Sequence, residues 1–158
     1  MTAPSLRRWR PSDLEPCMAI WRVASEVGHP FLTRAQLDAD AELVRTLYMP
    51  STDITVAVEG GEVAGFIALS GHFIGALFVA PACHRRGSGA RLLAHAARLH
   101  PVLEVEVYLA NTAARRFYAA AGFKEVLCQL ADDQGRPHPL VRLRQPAAGG
   151  KARVEDRP

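Results

Sequence analysis

The chain has 158 residues, 49% of them hydrophobic and 22% charged, a size and balance that fit one globular core and exclude a disordered or fibrous chain. Its net charge is +3, and leaving aside everything from Pro146 onward there are 16 basic against 14 acidic residues, too even for a nucleic-acid footprint. Cys17, Cys83 and Cys128 are too widely spaced for a metal site and odd in number, and no apolar run reaches a membrane span, so the expected setting is the cytoplasm, with reduced thiols, no metal and no membrane partner.

In chain order, Ser5 to Trp9 reads as a first strand that Pro11 breaks. Ser12 with Glu15 has the spacing of a capping box, and Leu14, Cys17, Met18, Trp21 and Ala24 recur at helical spacing behind it. Gly28, His29 and Pro30 end that helix. Thr33 with Gln36 is a second capping box, followed by Leu37, Ala41, Val44 and Tyr48 on one helical face. Asp53–Glu59 and Glu62–Ser70 are β-rich runs joined by Gly60-Gly61, a pair suited to a type I′ hairpin. The run VAGFIALS is apolar at every other and every intervening position, which predicts a strand covered on both faces. His72 to Val79 is the next strand. A helix carries Leu92, Ala96 and Leu99 and stops before Pro101. Val102 to Leu109 then alternates, with Leu103, Val105, Val107 and Leu109 on one side and Glu104, Glu106 and Tyr108 on the other. Asn111 or Thr112 can cap a short helix bearing Ala114, Phe117, Tyr118 and Ala121, with Gly122 beyond its end. Phe123–Ala131 and Pro139–Leu143 form a closing hairpin around DDQGRP. Residues 146–158 have no apolar period and read as a disordered tail to a domain spanning 1–145.

The stretch LFVAPACHRRGSGARLL, Leu77 to Leu93, organises the rest. Gly87 and Gly89 allow a tight turn, and a helix that starts there directs unpaired N–H groups and the positive end of its dipole at whatever sits in the turn. Arg85 and Arg86 add charge and forked donors, so the expected ligand group is a diphosphate. A Walker loop needs GxxxxGK and is absent. A Rossmann fingerprint needs a small residue where Leu92 stands.

What remains, from His84 to Gly89, resembles the acetyl-CoA loop Gln/Arg-x-x-Gly-x-Gly/Ala of the GNAT N-acetyltransferase family, with His84 in place of the usual Gln or Arg. Asn111, Ala114, Phe117, Tyr118, Gly122 and Phe123 match the NxxAxxFYxxxGF segment of the same family, 22 residues after Gly89. The element order β, α, α, β, β, β, α, β, α, β, β also matches its layout. Within the family, WRVASEVGHPFL, LSGHFIGALFVAP and DDQGRPHPL are similar to the bacterial YjaB-type lysine acetyltransferases.

The resemblance implies an α/β fold, a single domain with a mixed, mostly antiparallel sheet splayed between its fourth and fifth strands and helices on both faces. It implies acetyl-CoA as co-substrate, with pantetheine lying as a surrogate strand against the main chain of Leu77, Phe78 and Val79, and the diphosphate held by His84, Arg85, Arg86, Gly87, Ser88, Gly89 and Ala90. The acceptor is a primary amine: a protein lysine, a protein N-terminus or a small molecule. Tyr118, protonated at neutral pH, is the expected general acid toward the departing thiolate. Glu106 acting through water is one source of the base; His72, or an amine that arrives neutral, are the others, since Gly75 stands where YjaB-type relatives often carry a carboxylate. Asn111 touches the cofactor or caps its helix. Arg115 reaches the 3′-phosphate of CoA or simply faces solvent. His29, Phe31 and Leu32, and with them His72, Arg136 and His138, are placed by position at the acceptor side. A monomer or homodimer is expected, and the alternative to an enzyme is a non-catalytic acyl-CoA-binding module.

Overall fold

The computed structural model describes residues 3–83 and 86–146. The expected tail therefore lies, from residue 147 on, outside the described residues. The chain divides into two compact units, Met1–Ala96 and Ala97–Pro158.

In the first unit four strands, β1 (Ser5–Arg8), β2 (Asp53–Glu59), β3 (Glu62–Ser70) and β4 (Phe73–Val79), pair in sequence order, each antiparallel to the next. The β2–β3 turn is made by Gly60 and Gly61, with φ of 58° and 83°, the doubly left-handed geometry of a type I′ hairpin that only glycine adopts without strain. β3 is the centre: Ala64 through Leu69 are buried without a break, and Phe66 and Ile67, on opposite faces, are 0% and 1% exposed. Gly65 belongs to that packing for another reason. A Cβ there would lie 2.8 Å from the Phe78 carbonyl oxygen, so glycine is what lets β4 come this close.

Helix α1 (Leu14–Gly28) buries Cys17, Met18, Ile20, Trp21 and Ser25, and α2 (Arg34–Leu43) buries Leu37. The Thr33–Gln36 box forms as expected: the Gln36 N–H donates to Thr33 Oγ1 at 3.1 Å and the Thr33 N–H to Gln36 Oε1 at 2.9 Å, worth about 1 kcal/mol to the helix start. The Ser12–Glu15 box does not form. Pro11–Asp13 instead make a short 3₁₀ turn in which the Asp13 carboxylate accepts the Arg10 N–H at 2.8 Å and both arms of the Arg7 guanidinium at 2.9 and 3.0 Å. That bidentate pair to a carboxylate outcompetes an exposed Ser–Glu pair one residue away. After α2 the chain widens into a π turn, Val44–Tyr48, which rotates Tyr48 off the expected face and leaves it 44% exposed. Helix α3 (Ser88–Leu99) buries Leu92, Leu93 and Ala96, while Leu99, expected on that face, is 54% exposed.

In the second unit β5 (Leu103–Tyr108) and β6 (Lys124–Gln129) both pair antiparallel with β7 (Leu140–Gln145), which lies between them. Helix α4 (Thr112–Ala120) connects β5 to β6. Asn111 is its N-cap, accepting the Ala114 N–H at 3.1 Å, and Gly122, at φ 96°, follows its end. The core here is thinner: Leu103, Val105, Val107, Tyr118, Phe123, Leu140, Val141 and Leu143 are buried, whereas Val126 and Leu127 on β6 are 49% and 57% exposed.

Candidate active site

In the first unit, β4 ends at Val79 and the chain passes through a 3₁₀ turn, Pro81–Cys83, into the glycine turn and α3. The antiparallel ladder decides which β4 amides are committed. The Ala80 N–H donates to the Ala64 carbonyl at 2.8 Å, and alternation turns the Phe78 N–H the same way, toward Phe66. The N–H groups of Leu77 and Val79 point away from β3. Of the three residues expected to line the pantetheine arm, Phe78 therefore cannot offer its N–H; its main chain is spent inside the sheet.

His84 and Arg85 lie outside the described residues. Gly87 has φ 88° and nothing within 4 Å of where a Cβ would sit, so the turn is left-handed at an exposed apex. α3 begins at Ser88, with the Arg91 N–H donating to the Gly87 carbonyl at 2.9 Å. Gly89 and Ala90 thus fall in the first helical turn, where N–H groups have no carbonyl four residues back. Arg86 is exposed, and its Nη1 lies 3.4 Å from Glu59 Oε1. The Ser88 hydroxyl donates to Glu59 Oε2 at 2.9 Å. A left-handed glycine, a fresh helix N-terminus and an arginine fit a diphosphate.

Also in this unit, His29 follows α1 and its ring centroid lies 5.8 Å from that of Phe31, tilted by 48°. Burial pushes the His29 imidazole down to about 4 against the opposing pull of Asp40, so it is neutral at physiological pH. Leu32 is buried beside them in sequence, 7% exposed. His72 is exposed in the turn before β4, and Gly75 is an open position on β4.

In the second unit Tyr118 on α4 is 5% exposed. Its ring stands edge-on to those of Phe117 and Phe123, each with centroids 5.1 Å away. Burial raises its phenol above the ordinary tyrosine value, and its hydroxyl has no hydrogen-bond partner among the described residues. A buried tyrosine normally finds one. Here the donor stays protonated and uncommitted.

Glu106 is not uncommitted. It sits opposite Arg142 in the β5–β7 register and accepts from Arg142 Nη2 at 2.8 Å. Glu104, 7% exposed, accepts from Arg142 at 3.4 Å and from Arg144 Nε at 2.6 Å. The polar face of β5 is thus matched by a basic face of β7, a ladder whose signal was available in the alternation LVRLRQ. No direct hydrogen bond joins Glu106 to Tyr118 among the described residues. Asn111 caps α4 as described, and Arg115 is held by Glu125 at 2.7 Å and the Leu109 carbonyl at 3.3 Å. In the β6–β7 connection, Asp132 accepts from the Tyr108 hydroxyl at 2.8 Å and from the N–H groups of Arg136 and Gln134 at 2.8 and 3.1 Å. Its carboxyl, though burial pushes it up, ends below the usual range because of the Tyr108 hydroxyl and those two amides. His138 lies edge-on to Tyr108 at 6.4 Å. Sequence reading passed over Tyr108, Asp132 and Glu59, whose roles come only from contacts.

The family model for the Acetyltransferase (GNAT) domain matches residues 50–125, a span that takes in both the glycine turn and the tyrosine helix. A peptidyl-lysine N-acetyltransferase, YjaB of Salmonella typhimurium, is 37% identical over 143 residues, covering 90% of this chain and 98% of the relative. The chain belongs to the GNAT acetyltransferase family. The solution structure of apo YjaB from Escherichia coli superposes with a TM-score of 0.84 at 34% identity, covering 93% of this chain and all of that one. A further GNAT fold, the PaiA N-acetyltransferase of Thermoplasma acidophilum in complex with coenzyme A, has a TM-score of 0.74 at 14% identity, over 92% of this chain and 99% of that one. The expected α/β GNAT fold is therefore the fold of this protein.

Proposed function

We propose that this protein transfers the acetyl group of acetyl-CoA to a primary amine by direct attack, and that the amine is the side chain of a protein lysine. The observation that carries the reading is the GNAT match across residues 50–125, which joins the diphosphate-compatible turn and the tyrosine helix in one family segment. The 37%-identical relative named for peptidyl-lysine supports the choice of acceptor.

In this mechanism Arg86 and the N–H groups at the start of α3 hold the diphosphate, with His84 and Arg85 beside them by motif. The N–H of Leu77, which points away from β3, receives the thioester arm and its carbonyl oxygen, stabilising the oxyanion by a few kcal/mol. Asn111 keeps α4, and so Tyr118, in place; Arg115 contributes charge for the 3′-phosphate. The amine nitrogen attacks the thioester carbonyl carbon, forming C–N and breaking C–S. The ammonium loses one proton to solvent before attack, and the proton the nitrogen sheds after attack leaves through water toward Glu106, whose carboxylate also accepts from Arg142 Nη2 at 2.8 Å. Tyr118 gives its phenolic proton to the thiolate sulfur and regains one from solvent. A lysine ammonium has a pKa of about 10.4 in water, so deprotonation must precede attack. His29, Phe31, Leu32 and His72 shape the acceptor side, where a neutral His29 avoids repelling an incoming cation.

The test is release of free CoA thiol from acetyl-CoA with a panel of lysine peptides, N-terminal peptides and small amines. Lysine peptides should give the highest turnover. CoA binding with no acceptor-dependent thiol release across the panel would overturn the enzyme reading in favour of a binding module.

A further inference from the structure

The glycine turn has an unusual supporting arrangement. Its apex, Gly87, is exposed, with no atom within 4 Å of a would-be Cβ, so packing does not fix its geometry. What flanks it does. Ser88 is 1% exposed, and its hydroxyl donates to Glu59 Oε2 at 2.9 Å. Arg86, on the other side of the apex, directs Nη1 at Glu59 Oε1 at 3.4 Å. One carboxylate therefore holds both ends of a three-residue turn with its two oxygens. Glu59 itself is the last residue of β2, and its side chain is 12% exposed, although the type I′ turn that follows would let it swing into water. Hydrogen bonds to an ionised partner are the stronger kind, and a buried one resists loss most.

We infer that Glu59 is a positioning residue for the diphosphate: it ties Arg86 and Ser88 to the end of β2 and so pre-forms the turn that receives it. This rests on the proposed reading of the turn. Guanidinium has five N–H donors in a planar fork, and Glu59 engages one nitrogen of Arg86, leaving the others to meet a phosphate oxygen. Without the carboxylate, the turn must be ordered at the moment of binding, and affinity falls by the cost of that ordering. The chemistry at the thioester, which involves other residues, is untouched.

The experiment compares acetyl-CoA with S-acetylpantetheine, which lacks the diphosphate and nucleoside, using a lysine peptide as acceptor and variants Glu59→Ala, Glu59→Gln, Ser88→Ala and Gly89→Val. Glu59→Ala should raise KM for acetyl-CoA roughly tenfold while kcat stays within about twofold, and kcat/KM for S-acetylpantetheine should not change. Glu59→Gln keeps an acceptor oxygen for Ser88 and should recover most of the loss. Ser88→Ala, which removes the donor and is the milder change to folding, should raise KM for acetyl-CoA by about threefold. Calorimetric binding of CoA against pantetheine gives the same comparison without an acceptor. An unchanged KM in both Glu59→Ala and Ser88→Ala, or a parallel loss with both thioesters, would overturn the inference. If Gly89→Val leaves CoA binding intact, the diphosphate does not sit at this turn and the proposed reading of the loop fails with it. If Gly89→Val abolishes binding and Glu59→Ala does nothing, only the role of Glu59 is wrong.

Discussion

In the proposed mechanism the glycine turn before α3 and the tyrosine helix α4 work by different means. The turn contributes main-chain N–H groups and depends on the missing side chains of Gly87 and Gly89, with Glu59, Arg86 and Ser88 supporting its shape. Helix α4 contributes one side chain, Tyr118, and its backbone presents it, capped by Asn111 at 3.1 Å. The difference teaches where tolerance lies. A backbone site is destroyed by added bulk and only weakened by lost supporting groups, while a side-chain site is lost with its one functional group.

The largest effect should come from adding bulk to the turn. Gly89→Val places a β-branched side chain in the first turn of α3 and should weaken CoA binding about 100-fold or more, read by calorimetry, with the fold retained by circular dichroism. Next comes removal of one hydroxyl: Tyr118→Phe should lower kcat at least about tenfold with the Kd for CoA unchanged, because it deletes a donor and no packing. If that variant instead loses CoA affinity at constant kcat, the contrast between the two regions collapses. A smaller effect is expected at Glu106, whose carboxylate also accepts from Arg142: Glu106→Gln should reduce kcat by about threefold to tenfold, a kcat loss absent in Arg115→Ala, which should raise KM for acetyl-CoA by no more than about threefold.

The least expected effect is on pH-dependent stability, and its sign follows from which form each fold region holds. His29, pushed down to about 4 by burial, binds its proton more weakly folded than unfolded, so stability falls as pH drops from about 6.5 toward 4 and the loss is complete below that. Asp13 is held low by its hydrogen bonds with Arg7, and Asp132 by the Tyr108 hydroxyl and two amides that outweigh burial. Their contribution is present above about pH 4 and is lost as pH falls further, through the folded values. Thermal unfolding from pH 8 to 3 should show both limbs; His29→Gln should flatten the upper one and Asp132→Asn the lower.

The order of elements, the Gly60-Gly61 hairpin, the Thr33 box and the Asn111 cap were legible in the sequence because each is set by residues within a few positions of one another. So was the glycine turn, since a left-handed φ at Gly87 is a local demand. Local reading failed where a distant group intervened. Asp13, not Ser12, starts α1 because Arg7 on the first strand reaches it; Tyr48 leaves its expected face because the chain widens into a π turn. The same limit applied at the site. Sequence named Tyr118 as the acid and Glu106 as one of several sources of the base, and folding set them in different surroundings: one ring packed edge-on between two phenylalanines, one carboxylate laid against an arginine of the neighbouring strand. Which β4 amides face outward, and that Glu59 meets Arg86 and Ser88 from 27 and 29 residues away, depended on strand register. Register is a property of paired segments, and no single stretch of sequence contains it.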